Sequence, residues 1–348
     1  MANEFLTRRE CDALRGIAII GIFMHNFCHW LPGIVRENEY LYHQQNVDGL
    51  NGVLAAPDWN LPIHLFSFFG HYGVPVFLFL SAYGLVMKYE MKPGLPTFGR
   101  DGVKFIGSHF SKLFKMMIVG FTAFTMIDAI TPARHHYQLL DVVAQLGLFN
   151  NLLPHPNNVI WPGPYWFFGL MMQLYIIYRL LLYRRHWGWT LGLMALCMAV
   201  QMFCAPESET LNRLRYNFIG GMLPFGYGLL VARMPQRMSS SYNWIFGLVS
   251  LYFIYSLSLS YGAWFFVPLF VCSAGFCLIK IIPGWLMRPL VWMGGISAAL
   301  FVCHPITRKI FITVSRHDGL YVGLILYVVS SICLAWLFRE VIRRVMRK

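Results

Sequence analysis

Charge is what this chain has least of, and acid above all: of 348 residues only 15 are Asp or Glu, and charged residues of every kind make up 12%. Soluble chains carry about a quarter charged residues. With 57% apolar residues, 17% aromatics and a mean hydropathy of +0.53, a soluble enzyme and a disordered protein are both excluded. The apolar runs are helix-length rather than alternating ten-residue segments, which excludes a transmembrane β-barrel. No CxxC pair and no metal-type spacing links the eight cysteines. Cys28, Cys197, Cys204, Cys272, Cys277, Cys303 and Cys333 lie in or beside apolar stretches and read as small core residues. Internal repeats and low-complexity tracts are missing too. A cleavable signal peptide is not expected, because the first apolar run follows Arg15 and contains His25 and Asn26.

What is present is a series of windows of membrane-spanning length. Ten fall near 14–31, 62–88, 105–131, 162–183, 187–205, 216–232, 242–259, 262–282, 289–314 and 318–338. The expected architecture is an all-α membrane bundle of about ten helices, a single integral-membrane domain over 1–348 with a basic tail at 339–348. Lys and Arg collect in cytoplasmic loops. With the N-terminus inside, 21 of the 28 basic residues fall inside, among them Lys104, Lys112, Lys115, Arg184 and Arg185. Only Arg36, Arg134, Arg213, Arg215, Arg308, Lys309 and Arg316 fall outside. Both termini are therefore expected in the cytoplasm. Glu37, Glu39, Asp48, Asp58, Glu207 and Glu209 lie on the outer loops. The net charge of +13 is thus mostly a topology signal, and nucleic acid is not an expected partner. Two long connections, 32–61 and 132–161, face outward; the second contains an amphipathic stretch over 139–153. The inner segment 89–104, with Pro93, Gly94, Pro96 and Gly99, reads as a turn region.

The first helix holds two ionisable residues, each costing roughly 2.5–3.5 kcal/mol at the centre of a membrane. Arg15 sits near the inner boundary, where it can snorkel or pair with Asp12. His25 is ten residues further on, about 15 Å deeper at 1.5 Å per residue, and a structural reason for it is harder to find. His29 follows one turn later. An i, i+4 histidine pair also suits a metal, but this helix carries no HExxH and no nearby Asp or Glu, so no metal is expected. On the ninth helix Ser297, His304 and Arg308 lie within about 40° of one another. Such a stripe serves either hydrogen bonds between helices or contact with a substrate in a wet cavity. Trp161, Tyr165 and Trp166 fall at the outer interface, where Trp and Tyr concentrate and where a sugar ring also stacks. His64, His71 and His155 have no distinguishing pattern, and His135 and His136 read as solvated loop.

In order along the chain, "DALRGIAIIGIFMH" (12–25), "GVPVFLFLSAYGL" (73–85), "PYWFFGLMMQLY" (164–175) and "ISAALFVCHPI" (296–306) resemble motifs of the acyltransferase family 3 integral-membrane proteins. The resemblance covers essentially the whole chain. It implies transfer of an acyl group, usually acetyl from cytoplasmic acyl-CoA, to a hydroxyl of a glycan or glycolipid at the bacterial inner membrane. Arg15 matches the motif Arg and His25 the motif His. Nine residues separate them where the family usually has ten. That turns His25 some 80° from the Arg15 face and brings Asn26 and His29 within about 40° of it, so His29 is a second candidate. Ala82 follows Ser81 where the family has Gly, and Lys112 and Lys115 stand where an Arg-x-x-Arg pair is common.

The residue types suit that reaction. His25 is the expected base for the acceptor hydroxyl. Arg15, Lys112 and Lys115 are expected to hold the anionic CoA. Ser81, Trp166, Ser297, His304 and Arg308 are expected substrate contacts. The resemblance implies acyl-CoA as the expected donor, and membrane lipids and a glycan or glycolipid as the expected partners. The competing class is a transporter or flippase for a glycan or lipid-linked glycan, since a polar-lined bundle serves transport as well.

Overall fold

The computed structural model describes residues 5–91, 100–234, 240–317 and 319–347. Among them every regular element is a helix. The first half contains α1 (Arg8–Cys28), α2 (Gln44–Ala55), α3 (Leu61–Phe69), α4 (Gly73–Tyr89), α5 (Arg100–Ile130), α6 (Leu139–Leu146), α7 (Pro156–Val159) and α8 (Trp166–Ile177). The second half contains α9 (Trp187–Met202), α10 (Glu209–Tyr216), α11 (Phe218–Arg233), α12 (Ser240–Ser258), α13 (Tyr261–Trp264), α14 (Val267–Ile281), α15 (Gly284–His317) and α16 (Leu320–Arg347).

Six stretches among the described residues are long and apolar enough to cross a membrane: Arg8–Cys28, Leu61–Tyr89, Gly102–Ile130, Gly163–Leu182, Gly284–His317 and Leu320–Arg344. The other four sequence windows hold α9, α11, α12 and α14. Of these, α9, α11 and α14 are shorter apolar helices. At 1.5 Å per residue the 16 residues of α11 span about 24 Å, less than the ~30 Å hydrocarbon layer. The turn segment 92–99 lies outside the described residues. The basic tail is not a separate element: α16 runs on through it, with Glu340 paired to Arg343 and Arg344.

α1 sits at the centre because its start, its faces and its end are all specified. Thr7 and Glu10 form a capping box: Thr7 Oγ1 accepts from the Glu10 N–H at 3.2 Å, and Glu10 Oε2 accepts from the Thr7 N–H at 2.7 Å. Small residues let neighbours approach backbone to backbone, as in other membrane bundles. A Cβ on Gly294 of α15 would collide with the Asp12 carbonyl, and one on Gly70 would meet both the Gly21 carbonyl and the Cβ of His25. His25 is therefore seated against the Gly70 turn between α3 and α4. The helix ends at Cys28 and the chain turns away through Leu31-Pro32-Gly33, with Gly33 at φ +71°, a backbone region that glycine enters without strain. The chain then folds back over the end of α1. There Ser67 Oγ donates to the Val35 carbonyl (2.5 Å), and the Val35 N–H donates to His64 Nδ1 (3.1 Å).

Candidate functional site

A cavity of about 300 Å³ opens at the C-terminal end of α1, lined by His25, Asn26, His29 and Trp30 of that helix end, Glu37, Glu39 and Tyr40 of the returning chain, and Arg308 of α15. Trp161, Trp166, Phe167 and Tyr216 supply an aromatic wall. A second, more polar cavity of about 730 Å³ shares Glu37, Glu39, Tyr40 and Asn157 with it.

His25 is buried, and its Nδ1 lies 2.8 Å from the Ser67 carbonyl. A carbonyl only accepts, so Nδ1 carries the proton and Nε2 is the free position of the neutral ring. Nε2 faces two carboxyls, Glu39 Oε2 at 3.8 Å and Glu37 Oε1 at 4.0 Å. His29 packs ring against ring with His25, centroids 4.5 Å apart, and its Nδ1 lies 2.9 Å from Glu37 Oε1. Burial works against the charge of Glu37, but the adjacent His29 and His25 hold its carboxyl well below the usual range. Glu39 behaves oppositely. Burial, and then the negative charge of Glu37, push it up to about 8.

Arg308 closes the opposite side. It is 7% exposed, lies over the Trp30 ring at 5.4 Å, and makes two long hydrogen bonds of 3.4 Å, to the backbone and side-chain oxygens of Asn26. Among the described residues no carboxylate pairs with it. The next residue, Lys309, is paired to Asp128. A buried guanidinium with most of its five N–H groups unspent, beside a histidine with a free Nε2, supplies a proton acceptor and a donor for developing negative charge in one cavity.

Of the expected site residues, His25, His29, Trp166 and Arg308 meet at this cavity. Ser297 and His304 do not line it. Ser297 donates to the Gly294 carbonyl of its own helix (2.8 Å) and His304 turns its Nδ1 to the Leu300 carbonyl (3.0 Å). Pro305 has no N–H for the carbonyl one turn back, so the helix is already irregular where His304 sits. Arg15, Ser81 and Lys112 belong to the other end of α1. Arg15 pairs with Asp12 at 2.7 Å. Lys112 feels the charges of Arg15 and Lys88, and Tyr175 hydrogen bonds with Ser81 within reach of Arg15. Lys115 makes no ion pair among the described residues.

The sequence reading passed over several residues. His71 is buried with its ring 5.4 Å from His25 and neither ring nitrogen partnered. His135 is not simply solvated: its N–H donates to Asp128 at 2.9 Å and its ring stacks on Trp161 at 5.2 Å. Glu37 and Glu39 were legible only as acidic loop residues.

His25, His29 and Glu37 each offer a ligand atom within 4.8 Å of the others, and they are the residues here that could hold a metal. Zinc with ligands at about 2.0–2.2 Å needs them some 3.4 Å apart. The 4.0 Å from His25 to Glu37 and the 2.9 Å hydrogen bond from His29 to Glu37 fit a hydrogen-bonded His–Glu cluster better than a coordination shell.

Comparison with curated proteins and with solved structures gives no match. The family comparison does: the model described as an acyltransferase domain matches residues 8–340, nearly the whole chain, and the protein belongs to acyltransferase family 3.

Proposed function

We propose that the protein transfers an acyl group, acetyl foremost, from cytoplasmic acyl-CoA to a hydroxyl of a glycan or glycolipid on the outer side of the bacterial inner membrane. The observation that carries this reading is the pairing, in one aromatic-walled cavity, of His25 Nε2 with an Arg308 that has no carboxylate partner among the described residues. In the reaction His25 Nε2 takes the acceptor hydroxyl's proton as the oxygen attacks the thioester carbon. Arg308 donates to the oxyanion of the tetrahedral intermediate. The C–S bond then breaks, and the imidazolium returns the proton to the leaving CoA sulfur, so the histidine ends as it began. The CoA phosphates are held some 15 Å away along α1, at Arg15 and Lys112, and the acyl-bearing arm threads from there toward His25. Trp166 and its aromatic neighbours suit the apolar faces of a sugar ring.

The test uses proteoliposomes of known orientation supplied with lysate glycans. Acetyl-CoA on the cytoplasmic face is consumed with label transfer to the acceptor, acetyl-CoA on the other face alone is not, and His25→Ala loses transfer by about 10²–10⁴-fold. Acceptor flux with intact acetyl-CoA on both faces means a transporter and sinks the reading.

A further inference from the structure

The segment 37–39 is fastened in a way that a returning loop does not need. Three successive backbone carbonyls are each taken by a side chain from a different helix. Asn46 Nδ2 of α2 donates to the Glu37 carbonyl at 2.7 Å, and Trp264 Nε1 of α13 donates to that of Asn38 at 2.9 Å. Arg215 of α10 donates to that of Glu39 through Nε at 3.1 Å and Nη2 at 2.8 Å. Asn38 is locked further by its own side chain, which accepts from the His43 N–H and from Asn46. Arg215 thus spends Nε and Nη2 on a backbone carbonyl, and Nη1 on the Gln201 side chain at 3.5 Å, while a carboxyl hangs from the same residue as that carbonyl. The consequence is that the Glu37 and Glu39 side chains stay with the histidines: Oε1 of Glu37 bonds His29 and faces His25 Nε2, and its Oε2 is buried without a partner. A carboxylate 4.0 Å from His25 Nε2 interacts far more favourably with the charged ring than with the neutral one, and more so in a partly dry cavity than in water.

We propose that Glu37 is the charge partner that stabilises the imidazolium formed when His25 takes the acceptor's proton, and that Asn46, Trp264 and Arg215 are the residues that position it. This rests on the acyltransferase reading above. Glu37 exchanges no atoms: the proton moves from the acceptor oxygen to Nε2 and on to the CoA sulfur, and the carboxylate lowers the cost of the charged interval between. Of the two carboxyls facing Nε2, Glu37 is the one bridged to the second histidine, its Oε1 2.9 Å from His29 Nδ1, while burial and the charge of Glu37 favour the neutral form of Glu39. His29, bonded to Glu37, holds the carboxylate's orientation from the far side.

The experiment follows CoA release from acetyl-CoA, in the presence of lysate glycans, by the full-length protein in oriented vesicles, normalised to folded protein. Glu37→Gln is expected to lower kcat by about 30- to 100-fold with the KM for acetyl-CoA within twofold, because the donor's CoA head is bound at the other end of α1. Glu37→Asp recovers part of the loss. Trp264→Phe keeps an aromatic ring and every charge but removes the N–H that holds Asn38; it is expected to lower kcat about fivefold, again without a change in KM. Wild-type kcat in Glu37→Gln overturns the proposal, as does a loss carried wholly by KM. If chelation abolishes wild-type activity and zinc restores it, the His25–His29–Glu37 group is a metal site and the proposal is overturned as well. A wild type inert toward acetyl-CoA from either face brings down the acyltransferase reading itself, an outcome distinct from an active wild type whose Glu37→Gln variant is equally active.

Discussion

Two arginines, a part-buried one and a buried one near opposite ends of the bundle, have opposite surroundings. Arg233, at the end of α11, is fully engaged: Nε and Nη2 reach the two oxygens of Glu90 at 2.9 and 2.8 Å, Nη2 also donates to the Leu182 carbonyl at 2.8 Å, and Nη1 donates to Thr190 at 3.1 Å. Tyr178 completes the group by donating to Glu90 at 3.0 Å. Arg308, in α15, has two 3.4 Å hydrogen bonds, an aromatic face and a cavity. Taking a guanidinium out of water costs several kcal/mol unless its donors are met. At Arg233 the protein meets them, and the group ties α4, α9 and α11 together. At Arg308 they face the cavity, as the proposed role of a donor to a bound substrate requires. The difference separates a staple from a site without reference to any family.

Swapping the two roles breaks the comparison most directly. Arg308→Gln keeps the size of the side chain and removes the charge; transfer is expected to fall by about 10²–10³-fold, the range for loss of an oxyanion donor, with the unfolding temperature nearly unchanged or raised. Glu90→Gln does the reverse. It strands a part-buried Arg233 at a cost of at most about 3 kcal/mol, read as a lower unfolding temperature, while kcat per folded molecule stays within about twofold. Equal loss of stability in the two variants would mean that Arg308 is also a staple.

A smaller effect sharpens the contrast between the ends of α1. Arg15 is 38% exposed on its side chain and, among the described residues, paired only to Asp12, three residues before it, a pair that contributes at most about 1 kcal/mol to stability. Calorimetry of acetyl-CoA binding is expected to show Arg15→Ala weakened by about tenfold and Arg15→Lys partly restored. Asp12→Asn should bind as well as wild type, since freeing Arg15 takes nothing from the donor. If Asp12→Asn and Arg15→Ala weaken binding alike, the pair is the functional unit and Arg15 alone is not.

The sequence carries the parts of this structure that one helix can carry. His25 stood out because it lies ten positions beyond Arg15 along an apolar helix, and Arg308 because of its place on a polar stripe. Spacing gives an azimuth on a helix, however, and not a destination. Ser297 and His304 share the Arg308 face by angle, yet their side chains are taken by carbonyls of their own helix. Glu37 and Glu39 were visible only as acids on an outer loop, and that reading fits any acid there. What makes them part of the site is held elsewhere: Trp264 lies 226 positions from Asn38, and Arg215 lies 176 from Glu39. No local pattern encodes contacts of that separation, and short α10 and α13 look like connections until their side chains are placed.

The smallest effect concerns Glu39, which faces His25, Glu37, Tyr40, Tyr216 and Arg215. Its carboxyl is pushed from an ordinary 4.5 up to about 8 by burial and by Glu37. The native state therefore holds a proton that the unfolded state has released anywhere between those two values. Stability falls as pH rises when the folded state binds more protons than the unfolded one. This group's contribution is thus fully present below about 4.5, is lost progressively as pH rises toward 8, and changes little beyond. Glu37, held below the usual range by its histidines, has the opposite sign and loses its contribution only as pH falls through the acid range. Comparing unfolding temperatures of wild type and Glu39→Gln in one detergent at pH 5 and pH 8.5 isolates the first term. The variant, which has no proton to lose, is expected to gain on wild type by about 2 °C or more between the two. A constant difference across that window would mean that Glu39 is ionised in the folded protein. Two negative carboxylates would then face His25, and stabilisation of its charged form could no longer be assigned to Glu37 alone.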